Sequence, residues 1–227
     1  MTIATWNIER PTKTTKRIPL IIECLKEIDP DILILTETNE FIDLGNEYQI
    51  FHTTKPAQPN PHTSKPYYKE GERRVSIYSK YDSIGQIKTY RDDTSICMNF
   101  QTPFGALAVY GTVIGIRGNR GFNFNEDLDK QTLDFEAISE LNNFCIGGDL
   151  NMTFGDNYYY TKEGRKKLNA SFEKNSLVNL TKKIPRNIDH IVLTKTFIGD
   201  KTINLHPWNL EPDKKLSDHM GVSVNIS

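Results

Sequence analysis

The sequence predicts an α/β protein in which strand-helix-strand units are combined with an antiparallel meander. Three observations carry that expectation. The apolar pattern near the N-terminus changes from strand-like to helical and back. Strand-like segments in the middle of the chain follow one another with no helix between them. Acids, amides or imidazoles stand beside apolar strands at several separate places along the chain.

The N-terminal TIATWNIE reads as a strand, and RIPLIIECLKEI sets Ile18, Ile21, Ile22, Leu25 and Ile28 on one helical face. Asp29 and Pro30 end that helix. DILILTE follows, a continuous apolar run of strand length that suits a sheet position covered on both faces. Ligand crevices in open α/β sheets lie at the carboxyl ends of strands, so Asn7, Glu9 and Glu37 are expected to converge there.

From Thr54 to Glu70 the chain carries Pro56, Pro59, Pro61 and Pro66, which predict a long exposed loop at a functional lip. The segments RRVSIYS, IGQIKTY, SICMNFQ and ALAVYGTVI are strand candidates, the last two joined by a TPFG turn, and their succession predicts antiparallel pairing. GIRGNRGFNFN is a glycine-rich loop bearing Arg117 and Arg120. Asn125 is the expected N-cap of the helix EDLDKQTLDFEAISEL, whose buried stripe is Leu128, Phe135, Ile138 and Leu141. FCIG returns to the sheet, Gly147 and Gly148 are read as a tight turn, and Asp149 and Asn151 fall on the loop beyond it. A helix in EGRKKLNASFEK and strands in LVNL, IDHIVLT and HMGVSVNI complete the chain.

The 227 residues suffice for one sizeable core, so residues 1–227 are expected to form a single domain. Lysine plus arginine (28) nearly balance aspartate plus glutamate (29), which excludes a global basic field; any polyanion must be held by local charge. Cys24, Cys97 and Cys145 show no C-x-x-C spacing and read as reduced core thiols. The start MTIATWNI has no basic stretch followed by an apolar one, and no apolar run is long enough to span a bilayer. The expectation is a soluble cytoplasmic monomer without a membrane partner or an organic cofactor.

The clusters WNIE, LTET, GGDLN, IDHI and SDHM would each pass singly for turn chemistry. Their order is informative. From TWNIE through PDILILTET and CIGGDLNMTF to IDHIVLT and LSDHMGV, the chain resembles the endonuclease/exonuclease/phosphatase superfamily, metal-dependent phosphodiesterases related to deoxyribonuclease I and exonuclease III-type abasic-site endonucleases. The resemblance spans nearly the whole chain and implies a two-sheet α/β sandwich with flanking helices, its active site at one edge of the paired sheets. It implies Glu37 as a metal-binding carboxylate supported by Asn7 and Glu9, with Asp218 near the metal. Asp149 and Asn151 would activate or orient the attacking water, His219 would bind a non-bridging phosphate oxygen, and Asp189 would hydrogen-bond that histidine. Elementary chemistry asks for a similar set: a phosphodiester is anionic, and carboxylate and amide oxygens suit Mg²⁺ or Mn²⁺. An aspartate behind an imidazole favours its cationic form.

Other acids and histidines carry less. Glu72 resembles a secondary glutamate of the deoxyribonuclease branch, but a solvated loop charge is its ordinary reading. His190 is expected to be structural, and His52 and His62 have no motif around them. After ALAVYG, where many relatives carry Asn-x-His, or a tyrosine followed by Pro-Asn, this chain has Gly111, Thr112, Val113 and Ile114. Arg117 and Arg120 could replace the missing phosphate-side histidine, since guanidinium binds phosphate bidentately. Gly221 stands where proline is frequent and is read as a variation without consequence for Asp218 or His219.

Basic clusters at Lys13, Lys16 and Arg17, at Arg73 and Arg74, and at Arg165, Lys166 and Lys167 could follow a nucleic-acid backbone, although solvated faces explain each nearly as well. Tyr158 and Trp208 could stack on bases beside the catalytic edge. The expected function is therefore a Mg²⁺-dependent phosphodiesterase of DNA or RNA. A small-molecule or lipid head-group phosphatase is the second reading, and a catalytically silent scaffold the third. A serine hydrolase is excluded, because no G-x-S-x-G elbow exists in the chain.

Overall fold

Two six-stranded sheets pack face to face in the computed structural model, which describes residues 1–55, 68–115, 121–140, 143–211 and 215–227. The first contains β1 (Thr2–Asn7), β2 (Ile32–Asn39), β3 (Gln49–His52), β4 (Glu72–Ser79), β11 (Ile203–Trp208) and β12 (Gly221–Ile226), in the order β11-β12-β1-β2-β4-β3. The second contains β5 (Ser83–Ile87), β6 (Ser95–Thr102), β7 (Gly105–Val113), β8 (Phe144–Asp149), β9 (Leu177–Asn179) and β10 (Asp189–Thr194), in the order β5-β6-β7-β8-β10-β9. Helices α1 (Ile18–Ile28), α2 (Gly121–Ser139), α3 (Lys162–Lys174) and the short α4 (Lys195–Ile198) complete the described elements. This is the α/β sandwich with flanking helices that the motifs implied.

The apolar run of β2 is explained by three layers. Ile34 points into the core between the sheets with Val75, Ile77, Val109 and Ile191. Leu33 and Leu35 point the other way, beneath Ile21 and Leu25 of α1. The outer face of the second sheet is covered in the same manner: Tyr110 and Ile146 pack under Phe135 of α2 and Leu168 of α3. Burying both faces of a strand removes its alternation.

Glycines set the spacing of the sheets. Gly111 and Gly147 are register partners on β7 and β8. A Cβ at Gly111 would meet Val75 Cγ1 at 2.7 Å, and one at Gly147 would meet Ile34 Cδ1 at 2.7 Å. The departure at Gly111 therefore serves inter-sheet packing. Gly148 has φ +136°, and a Cβ there would lie 2.0 Å from the Thr112 carbonyl oxygen. Gly147 and Gly148 thus lie within β8 rather than forming a turn, and Asp149 is the last residue of the strand rather than part of the loop.

Other expectations are corrected as well. Helix α2 begins at Gly121, so Asn125 lies inside it and is not its N-cap. The consecutive strands are divided between sheets, β4 in the first and β5 to β7 in the second. Strands β3 and β11 were not anticipated; the proline in β11 obscured its pattern, and its position at a sheet edge tolerates it. Cys97 and Cys145 are buried, Cys24 is half-buried, and all three are free thiols. No described helix is long and apolar enough to cross a membrane. Most of the proline-rich stretch, His62, Arg117, Arg120 and Leu141 lie outside the described residues.

Candidate active site

Strand direction gathers the polar residues at one edge. Strands β1 and β2 are parallel, so Asn7 and Glu37 reach the same end of the first sheet. β12 runs antiparallel to β1, which brings Asp218 and His219, just before its start, to that end. In the second sheet β8 finishes at Asp149 and β10 begins at Asp189, and the two are register partners.

Hydrogen bonds then tie the sheets together. Asn7 Nδ2 donates to Asp149 Oδ2 (3.1 Å), and the Asn151 backbone N–H donates to Asp149 Oδ1 (2.8 Å). Asn151, at φ +49°, donates its amide to the Ile114 carbonyl (2.8 Å). His219 Nδ1 lies 2.7 Å from Asp189 Oδ2, while its Nε2 is 3.8 Å from Asp218 Oδ1. Asp149, Asp189 and His219 bring ligand atoms within 4.8 Å of one another, a group that could coordinate a divalent metal.

The electrostatics follow from burial and charge. Burial, then the Asp189 charge, raises the Asp149 carboxyl, against the lowering effects of His219, the Asn151 N–H and Asn7. Burial alone would lower the His219 imidazole, but Asp189, with Asp149 and Asp218, outweighs it and pushes it up to about 10. Burial also raises the Glu37 carboxyl, opposed by His219, Arg10 and Arg74. A cation suits this edge, because Asp189 Oδ1 is buried with no hydrogen-bond partner among the described residues. Carboxylate oxygens of this kind are hard donors.

The predicted residues divide. Asn7, Asp149, Asn151, Asp189 and His219 come together, whereas Glu37 and Asp218 stand outside the three-residue group. Glu9 is half exposed, and its Oε2 pairs with Arg17 Nη1 at 2.5 Å. Glu72 is no solvated charge; it is 3% exposed, and Arg10 holds both its oxygens at 2.8 and 3.0 Å. Trp208 cannot stack on a substrate, because it is buried edge-on against Trp6, with ring centroids 5.9 Å apart. Tyr158 is exposed and lines the cleft beside Asp189 and His219. His190 is buried between the Thr181 hydroxyl (2.9 Å) and the Met152 carbonyl (2.8 Å), in a structural position. His52 bonds the Ser76 hydroxyl.

The basic clusters are largely spent internally. Arg17 donates to Glu9 and to the Ile8 and Leu216 carbonyls. Arg73 pairs with Glu40, Lys167 with Asp129, and Arg74 is buried against Tyr68.

Sequence reasoning missed the residues that hold the Asp218-His219 turn. Ser217 Oγ donates to the Asn7 carbonyl (2.6 Å) and accepts the His219 N–H (3.2 Å). Asn209, at φ +60°, donates to the Ser217 and His219 carbonyls at 2.9 and 2.5 Å. Trp6 Nε1 also donates to the His219 carbonyl, at 3.1 Å. Ser217 stood inside the LSDHM motif, but nothing in PWNLEP marked Asn209.

Residues 4–219 match the family described as Endonuclease/Exonuclease/phosphatase family. The chain belongs to that family. Solved structures in the same fold include an AP endonuclease from Archaeoglobus fulgidus, with TM-score 0.71 and 15% identity over 100% of this chain and 99% of that one. A 3′ phosphatase from Neisseria, NExo, bound to a product DNA hairpin, gives TM-score 0.72 and 11% identity over 100% and 99%. An endonuclease/exonuclease/phosphatase from Beutenbergia cavernae gives 0.67 and 14% over 100% and 71%. No curated protein matches by sequence. At these identities the solved structures establish the shared fold, while the endonuclease/exonuclease/phosphatase family and the acidic-histidine cluster together support a hydrolase.

Proposed function

We propose that the chain is a divalent-metal-dependent phosphodiester hydrolase acting on nucleic acid, with Mg²⁺ or Mn²⁺ as its cofactor. The observation that carries this reading is the His219-Asp189 bond of 2.7 Å facing a buried Asp149, whose carboxylate is braced from the opposite sheet by Asn7. Glu37 and Asp218 would hold the cation, with the Asn7 amide beside them. Its chemistry there is neutralisation of the charge that builds on the phosphoryl oxygens.

The chain's own residues account for the remaining roles. Asp149, raised by burial, is suited to take a proton from the attacking water, because a base works best with its pKa near the operating pH. Asn7 and the Asn151 N–H fix that carboxylate in one orientation. His219, kept protonated by Asp189, presents Nε2–H to a non-bridging phosphate oxygen, where a fixed donor in a dry site is worth more than in water.

The second reading, hydrolysis of a small phosphate ester, is favoured by one observation: Arg17, Arg73 and Lys167 are consumed in internal pairs rather than left for a long polyanion. One experiment separates the readings. The purified chain is incubated with supercoiled plasmid, single-stranded oligonucleotide, RNA and bis(4-nitrophenyl) phosphate, with Mg²⁺ or chelator, beside Asp149→Asn. Chelator-sensitive cleavage of a nucleic acid, reduced about 1,000-fold in the variant, is expected. Turnover of the small ester alone would replace the nuclease reading with the second one.

A further inference from the structure

The cleft beside Asp189 and His219 has a volume of about 590 Å³ and is lined also by Tyr158, Arg186, Leu210 and Lys215. That space exceeds what one phosphate needs and falls in the range of sites that hold a small organic molecule. Tyr158 is 64% exposed. The guanidinium carbon of Arg186 lies 5.3 Å from the centroid of its ring.

One carboxylate sets the two residues together. Asp156 Oδ1 accepts the Tyr158 backbone N–H at 2.9 Å, and Asp156 Oδ2 accepts the Arg186 backbone N–H at 2.7 Å. Arg186 has φ +59°, uncommon for a long side chain, and the bond to Asp156 helps to hold it there. A neighbouring arginine shows the contrast. Arg165 stacks 3.7 Å from the Tyr160 centroid and donates to Asn157 and to the Asp156 carbonyl, so its charge is already used. Arg186 forms no ion pair with a described residue, and its exposed cation is left to the Tyr158 ring and the cleft.

We infer that Tyr158 and Arg186 clamp the nucleotide next to the scissile phosphate, the phenol ring stacking on its base and the guanidinium binding its phosphate. The inference rests on the nucleic-acid reading above and adds to it the element that selects a polynucleotide over a simple diester. Base stacking is tolerant of sequence, and arginine forms bidentate bonds with phosphate. The clamp therefore favours nucleic acid without favouring a base.

The test needs a binding readout as well as turnover. A fluorescent single-stranded DNA oligonucleotide is titrated into the full chain carrying Asp149→Asn, by anisotropy at several salt concentrations. In that background Arg186→Ala should weaken binding about ten-fold and reduce the log-log salt slope by about one, whereas Arg186→Lys should retain the slope. Tyr158→Ala should weaken binding about ten-fold with the slope kept, and Tyr158→Phe should restore affinity. With Asp149 intact, Arg186→Ala should raise KM for the oligonucleotide several-fold more than KM for bis(4-nitrophenyl) phosphate. If the native chain cuts DNA but neither alanine variant changes affinity or salt slope, the clamp is overturned while the nuclease reading stands. If it turns over only the small ester and binds no oligonucleotide, both fall.

Discussion

His219 Nδ1 and Asp189 Oδ2 lie 2.7 Å apart, and this bond joins the two sheets, since His219 precedes β12 in the first and Asp189 opens β10 in the second. Burial lowers the imidazole and the three aspartates more than reverse it, to about 10. A raised folded-state pKa contributes stability that is fully present below the unfolded value of 6.5 and is lost as pH rises toward about 10.

Asp189→Asn should therefore release the His219 proton near neutral pH. Ring NMR is expected to show a protonated His219 at pH 8 in the native chain and a neutral one in the variant, with turnover at that pH reduced by roughly 10- to 100-fold. A native ring titrating at its ordinary value would contradict the assignment.

Gly221 and Trp208 are register partners, and a Cβ at Gly221 would lie 2.0 Å from Trp208 Cε2. Gly221 is thus not a neutral variation on proline. Gly221→Ala should cost about 1–3 kcal/mol or more through overpacking, measured by denaturant unfolding. Because Trp208 packs on Trp6, and Trp6 donates to the His219 carbonyl, the same variant should shift tryptophan fluorescence and lower activity. A fully stable variant with native fluorescence would show that the strands adjust without moving the indole.

His190 is fully buried, and desolvation lowers its pKa from 6.5 to about 4, with the Met152 carbonyl and Asp189 opposing. The unfolded chain takes up the proton first as pH falls, so stability is complete above pH 6.5 and declines toward pH 4. The difference is on the order of 3 kcal/mol. His190→Gln should lose less stability than the native chain between pH 7 and pH 4. Equal losses in the two proteins would assign acid sensitivity to other groups.

Much of the site was legible because it is built at strand ends. A strand that stops in Asp, Asn or His after an apolar run marks an edge, and WNIE, GGDLN, IDHI and SDHM supplied Asn7, Asp149, Asn151, Asp189 and His219. Glu72 was misread because local sequence showed only a charge beside a glycine. Its partner, Arg10, comes from another part of the chain and covers it. Trp208 was misread for the converse reason: a lone aromatic near a motif gives no sign of the Trp6 ring that buries it.

The sequence by itself determined the family, the strand and helix pattern, and the residue types that meet at the edge, because these follow from local periodicity and from motifs read in order. Tertiary structure decided which of those residues touch. Asn7 bonds Asp149 from 142 positions away, and Arg186 comes beside Tyr158 through a carboxylate 30 residues earlier. Such partnerships are set by sheet packing and strand direction, which no short stretch of chain encodes.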